Sequence, residues 1–180
     1  MIPVGYMAKR VTLHPEWLKA DQVVDIYSVS GCTSKNFADY IPFWKHNGYW
    51  FFDSPQIIQQ LANEHSIDLN ETKLFYYEVY ESEFDEEERE WLELESELPF
   101  EPNVIFPIQK TLEGYDLVSF ELGNSAQCSP LSCNYLAAEV KTNLHCLLDS
   151  FEQAKQLLES DQFKHVEPGP YRIMAVYSVE

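Results

Sequence analysis

The side chains best suited to chemistry crowd one stretch of the chain. Cys128-Ser129-Pro130-Leu131-Ser132-Cys133-Asn134 is followed by His145-Cys146, so three thiols and an imidazole fall within nineteen residues. Zinc takes four ligands of these types tetrahedrally, and Cys128, Cys133, His145 and Cys146 would be the set offered. Adjacent His145 and Cys146 project in different directions, which works against closing that set on one ion. The same residues permit a nucleophilic cysteine. Cys128 or Cys133 near a helix start would have its thiolate favoured, and His145 would serve as base, oriented by Asp149 or Asn134. No family-specific nucleophile signature surrounds either cysteine. The third reading is buried thiols packed in a tight turn. A Cys128–Cys133 disulfide is geometrically possible, but a cytosolic setting disfavours it.

A second concentration is electrostatic. Between Glu78 and Glu101 twelve acids face a single base, Arg89, with Phe84, Trp91, Leu92, Leu94 and Leu98 interspersed. The whole chain carries 30 acids against 12 bases, a net charge of −18. Affinity for phosphate backbones comes mostly from Lys and Arg, so nucleic acid is not an expected ligand, nor is an anionic membrane surface. The field favours a basic protein partner, with steering charge set around apolar anchors. Asp85, Glu86, Glu87, Glu88, Glu90, Trp91 and Leu94 are the residues expected to contact it. Acids in a solvated run have no tuned pKa for acid–base work.

A third cluster is aromatic: Phe37, Tyr40, Phe43, Trp44, His46, Tyr49, Trp50, Phe51 and Phe52. With Lys45 it reads as core, as a ligand groove or as a partner hot spot, and Tyr40, Trp44 and Tyr49 are expected to be partly exposed through their polar handles. A glycine-rich phosphate loop, a Gly-x-Ser-x-Gly elbow and a His-Glu-x-x-His pair are all missing, so no cofactor is expected.

The elements that must position these groups alternate irregularly. Strands are expected over Val4–Leu13, Val23–Val29, Leu74–Tyr80, Val104–Phe106, Tyr115–Leu122 and Tyr171–Val179, where β-branched and aromatic residues dominate. His14–Leu18 reads as a turn or a short helix. Asp53-Ser54-Pro55 opens a helix through about Glu64, with a cap and a proline at its first position. Asp149-Ser150 caps another over Phe151–Glu159, and Asn134 would cap a shorter one. The acidic run reads equally as a short helix or a charged hairpin. Neither an internal repeat nor a dividing linker is read. The expected fold is α+β: one domain over residues 1–180, with a mainly antiparallel sheet of about six strands and three or four helices.

Four cysteines and no secretory signal or apolar membrane span lead to the expectation of a cytoplasmic protein with reduced thiols. Gly48-Tyr49-Trp50-Phe51-Phe52-Asp53-Ser54-Pro55 and Cys128–Asn134 are similar to segments of small bacterial proteins, of a kind that resembles the immunity proteins of polymorphic toxin systems. That resemblance implies a compact, acidic protein without catalytic motifs, and it designates no functional residues. The leading expectation is thus an immunity or inhibitor protein that neutralises a basic toxin. The alternatives are a small enzyme using a cysteine nucleophile with His145, or a zinc-binding module.

Overall fold

The computed structural model describes residues 1–33, 35–37, 47–95, 103–120, 128–133, 136–160, 162, 166 and 168–180. In chain order the elements are β1 (Ile2–Arg10), β2 (Thr12–Leu13), β3 (Asp25–Ile26), β4 (Lys35–Asn36), α1 (Pro55–Glu64), β5 (Thr72–Asp85), β6 (Glu90–Glu93), β7 (Lys110–Ser119), α2 (Pro130–Cys133), α3 (Phe151–Leu158) and β8 (Tyr171–Val179). The fold is α+β. Its main sheet is antiparallel, runs β4-β1-β5-β8-β7, and adds β6 alongside the far half of β5. β2 and β3 form a second, two-stranded sheet.

α1 and α3 start where the sequence predicts, whereas α2 begins at Pro130, ahead of the expected cap at Asn134. Ser54 and Ser150, both extended, accept hydrogen bonds from the Ile57 and Gln153 amides at 3.3 and 3.1 Å. Ile58, Leu61 and Ala62 of α1 pack into a core with Tyr6, Phe51, Phe52, Tyr76 and Tyr77. Ala154, Leu157 and Leu158 of α3 pack with Leu117, Leu148, Tyr171 and Ile173. Among the described residues no helix is long and apolar enough to cross a membrane.

Several expected elements come out differently. Val23–Val29 shortens to β3, because the amides of Val24 and Tyr27 bond instead to the carbonyls of Leu144 and His145. Val104–Phe106 is not a strand; the Ile105 amide bonds to the Asp53 carbonyl. His14–Leu18 is a turn closed by the Leu18 amide on the Pro15 carbonyl. Asn134 and its expected helix start lie outside the described residues, and Leu136–Ala138 forms a single 3-10 turn. The acidic run is a hairpin. β5 continues unbroken through Glu78, Glu81 and Glu83 because its neighbours offset those charges: Lys110 pairs with Glu78, and Arg172 with Glu83 at 2.9 Å. A turn over Glu86–Arg89 then reverses into β6, with the Asp85 carboxylate accepting the amides of Glu87 and Glu88.

The absence of a repeat is overturned by the sheet register. In β1, a bulge at Pro3/Gly5 sets Gly5 opposite Tyr77 and Tyr6 opposite Tyr76; in β7, a bulge at Leu112/Gly114 sets Gly114 opposite Val176 and Tyr115 opposite Ala175. Both glycines have positive φ, +118° and +147°, and a Cβ on either would lie 2.4 Å from the Phe52 carbonyl oxygen or 2.7 Å from that of Leu148. Those carbonyls belong to matching loops. The Asn47 carboxamide accepts the amides of Tyr49 and Phe51 and donates to the Val4 carbonyl; that of Asn143 accepts the amides of His145 and Leu147 and donates to the Glu113 carbonyl. Phe52 bridges to Tyr6, and Leu148 bridges to Tyr115. Each loop leads through Asp-Ser into its helix, so Asn47–Leu61 matches Asn143–Leu157 position for position. The two halves join where Tyr77 pairs with Val176, flanked by Tyr76 with Tyr177 and Glu78 with Ala175. A pseudo-twofold axis through the Tyr77–Val176 pair exchanges β1, β5, the Asn47 loop and α1 with β7, β8, the Asn143 loop and α3.

Candidate functional site

The Lys9 and Asp116 side chains are both buried in the sheet, on β1 and β7. Charges are costly to bury, so their partners identify what they hold. The Lys9 ammonium donates to the backbone carbonyls of Ser28, Val29 (2.9 Å) and Ser30 (2.8 Å). The Asp116 carboxylate accepts the Ser28 hydroxyl (2.9 Å) and the Val29 amide (2.8 Å) on one oxygen. Its other oxygen accepts the Leu117 amide (2.9 Å) and the Ser129 hydroxyl (2.5 Å). Burial pushes the Asp116 carboxyl up, against the opposing pull of Ser129, Val29, Ser28 and the Lys9 charge. Two loops, 28–30 and the one opening at Ser129, are thereby fixed against each other.

The thiols flank these segments: Cys32 follows 28–30, Cys128 precedes Ser129, and Cys133 ends α2. The sulfurs of Cys32, Cys128 and Cys133 lie within 4.8 Å of one another; Cys32 is exposed, Cys133 half-buried and Cys128 buried. No cysteine of the chain is in a disulfide. The Ser30 hydroxyl lies 3.9 Å from the Cys133 sulfur. Hydrogen bonding from Cys128 chiefly, and also from Ser129, Cys32 and Ser30, draws the Cys133 thiol down to about 6 against the effect of burial. A shallow cleft lined by Arg10, Thr12, Cys32, Thr33 and Lys35 opens beside the cluster.

The structure brings Cys128 and Cys133 together but groups them with Cys32, not with His145 and Cys146. Burial pushes the Cys146 thiol up to about 12. The His145 ring bonds to Asp25 at 2.5 Å through Nδ1, faces Glu113 at 3.7 Å through Nε2, and stacks on Tyr27 with centroids 4.0 Å apart. Asp149 forms an exposed pair with Lys141 at 3.9 Å rather than orienting the histidine. Cys32 was missed because its proximity depends on contacts spanning about ninety residues; the signal was a lone lysine in the apolar strand β1.

The expected partner-binding residues divide. Glu87, Glu88 and Glu90 are exposed, while Asp85 shapes the turn and Glu86 accepts the Gly169 amide. Burial raises the Glu86 pKa. Trp91 packs edge-on against Tyr80, sits beside Phe84, and donates to the Glu159 carboxylate at 2.9 Å. Leu94 is buried in the α1 core and so is not an exposed anchor. Of the aromatic cluster, Phe37, Phe51 and Phe52 are core. Tyr49, expected to be partly exposed, is buried, and its neighbour Trp50 is the exposed member. Tyr40, Phe43, Trp44, Lys45 and His46 lie outside the described residues.

An apolar surface not anticipated from sequence lies on 105–108. Ile105, Phe106 and Ile108 are exposed and line a cleft of about 410 Å³ with Tyr6, Pro55, Leu74 and Val179. No protein-family model, curated protein or solved structure matches this chain.

Proposed function

We propose that this chain is an acidic cytoplasmic binding protein that neutralises a basic protein partner, in the manner of the immunity proteins it resembles. The observation that carries this reading is the exposed Ile105–Phe106–Ile108 surface around a cleft, on a chain of net charge −18. Contiguous exposed apolar surface on a charged protein marks protein contacts, and the charge selects a basic partner. The pseudo-symmetry indicates what the cleft accepts. Its Tyr6, Pro55, Leu74 and Val179 correspond to Tyr115, Phe151, Ile173 and Tyr80. Tyr115, Phe151 and Tyr80 form the aromatic cluster against which Trp91 of the hairpin packs. An aromatic side chain on an extended segment of the partner would fill the open counterpart, with Glu87, Glu88 and Glu90 steering the encounter.

The test uses Phe106→Asp/Ile108→Asp and Glu87→Lys/Glu88→Lys/Glu90→Lys variants, all at exposed positions. The wild-type chain is expected to retain one basic protein from native-host lysate at low salt. With that protein purified, the aspartate variant should lose affinity, while the lysine variant should associate more slowly and with a flatter salt dependence. Co-expression should relieve any toxicity of the partner. A partner bound equally well by both variants would overturn the reading.

A further inference from the structure

We propose that Cys32, Cys128 and Cys133 bind a thiophilic divalent cation of the Zn²⁺ class, three sulfurs from the protein with a fourth position open on the Cys32 side. The three sulfurs are already mutually within 4.8 Å. Metal–sulfur bonds of about 2.3 Å in a tetrahedral site place sulfurs about 3.8 Å apart, so each pair closes by at most about 1 Å. Cys32 is exposed, on a loop end, and has room to make that adjustment. Three protein ligands with one open position is the arrangement of zinc sites that exchange a ligand, whereas structural sites are closed by four.

The surroundings fit an ion more than three packed thiols. Simple packing does not call for a buried ammonium and a buried carboxylate beneath the cluster. Apart from the Leu117 amide on Asp116, Lys9 and Asp116 direct their hydrogen bonds to Ser28, Val29, Ser30 and Ser129, in the segments leading to the cysteines. These bonds fix the segments that bear the ligands before the ion arrives. Three thiolates and one divalent cation leave a net charge of −1. Arg10 and Lys35 line the cleft beside Cys32, where they offset that charge and favour a small anion at the fourth position.

Reduced, metal-stripped full chain titrated with Cd²⁺ should develop sulfur-to-metal charge-transfer absorption that saturates at one ion per chain, and prior loading with Zn²⁺ should shift that titration to higher Cd²⁺. Cys32→Ser, at an exposed position that leaves the core intact, should weaken binding more than about tenfold, since outer-shell partners alone are worth about 10–100-fold. Cys146→Ser should bind as the wild type does. Absence of binding, binding without the absorption band, or equal affinity in Cys32→Ser would each overturn the proposal. The readout requires no protein partner, so it is independent of the binding function proposed above.

Discussion

Replacing Lys9 with Met tests the buried polar network directly. Methionine fills nearly the same volume and suits an apolar core, so the change isolates the ammonium. Three backbone carbonyls, of Ser28, Val29 and Ser30, lose their charged donor, and Asp116 loses the nearby charge that offsets its own. Hydrogen bonds to a charged group contribute about 1.5–3 kcal/mol each, so the gross loss is roughly 5–9 kcal/mol. Relief from desolvating the ammonium offsets part of this, leaving about 3–5 kcal/mol, the range typical of breaking a buried charge pair. At about 2–4 °C per kcal/mol for a chain of this size, the melting temperature should fall by roughly 6–20 °C. Asp116→Asn should also destabilise, because each carboxylate oxygen accepts one fixed amide, from Val29 or Leu117, and the Asn NH2 would face a donor on either side. The assay is urea unfolding of both single variants and the double variant. The double variant should cost less than the sum by about 1–3 kcal/mol, since it removes both charges together. A Lys9→Met cost under about 1 kcal/mol, or strict additivity, would refute the claim that these charges jointly hold the thiol loops.

Other outcomes follow from the same geometry. In metal-free protein, Cys133 should alkylate with a pH midpoint near 6, while Cys146, pushed up to about 12, should react only on unfolding; mass spectrometry of peptides distinguishes them. Because the folded Cys133 pKa is depressed, its contribution to stability is present above the unfolded value and is lost as pH falls through about 6. Gly114→Ala should destabilise by about 2–4 kcal/mol, since the new Cβ combines a strained φ with overpacking. Asn47→Ala and Asn143→Ala should each cost about 2–3 kcal/mol in chemical denaturation, with Asn47 the costlier because its NH2 also donates to Asp53; a cost under about 1 kcal/mol for either would argue against the equivalence of the two loops.

Local signals in the sequence were enough for the elements they specify. Tyr171–Val179 is β8 to the residue, and Asp53-Ser54-Pro55 and Asp149-Ser150 mark the starts of α1 and α3. What could not be read depends on distant partners. Glu78 and Glu83 stay in a strand because Lys110 and Arg172 come alongside from β7 and β8. Val104–Phe106 has strand-like residues, but among the described residues no strand pairs with it, and Cys32 comes beside Cys128 and Cys133 through contacts between segments about ninety residues apart. The repeat went unseen because few side chains repeat: Gly-Tyr, Asn and Asp-Ser recur, while most residues around them differ. What is preserved is backbone geometry, and that geometry needs only a glycine at the bulge and an asparagine in the loop.

The pseudo-twofold axis makes the chain a heterodimer folded from a single strand of polypeptide. On such an axis, a residue faces its own counterpart, so two identical halves would set tyrosine against tyrosine or valine against valine. Here Tyr77 meets Val176, a large side chain beside a small one. The same asymmetry governs charge: the register equates Lys9 with Val118 and Met7 with Asp116, so each half supplies one member of the buried pair. Two copies of the first half would bury two ammoniums, and two copies of the second would bury two carboxylates. Neither half can therefore stand in for the other, because each supplies one of the two charges that hold the thiol-bearing segments.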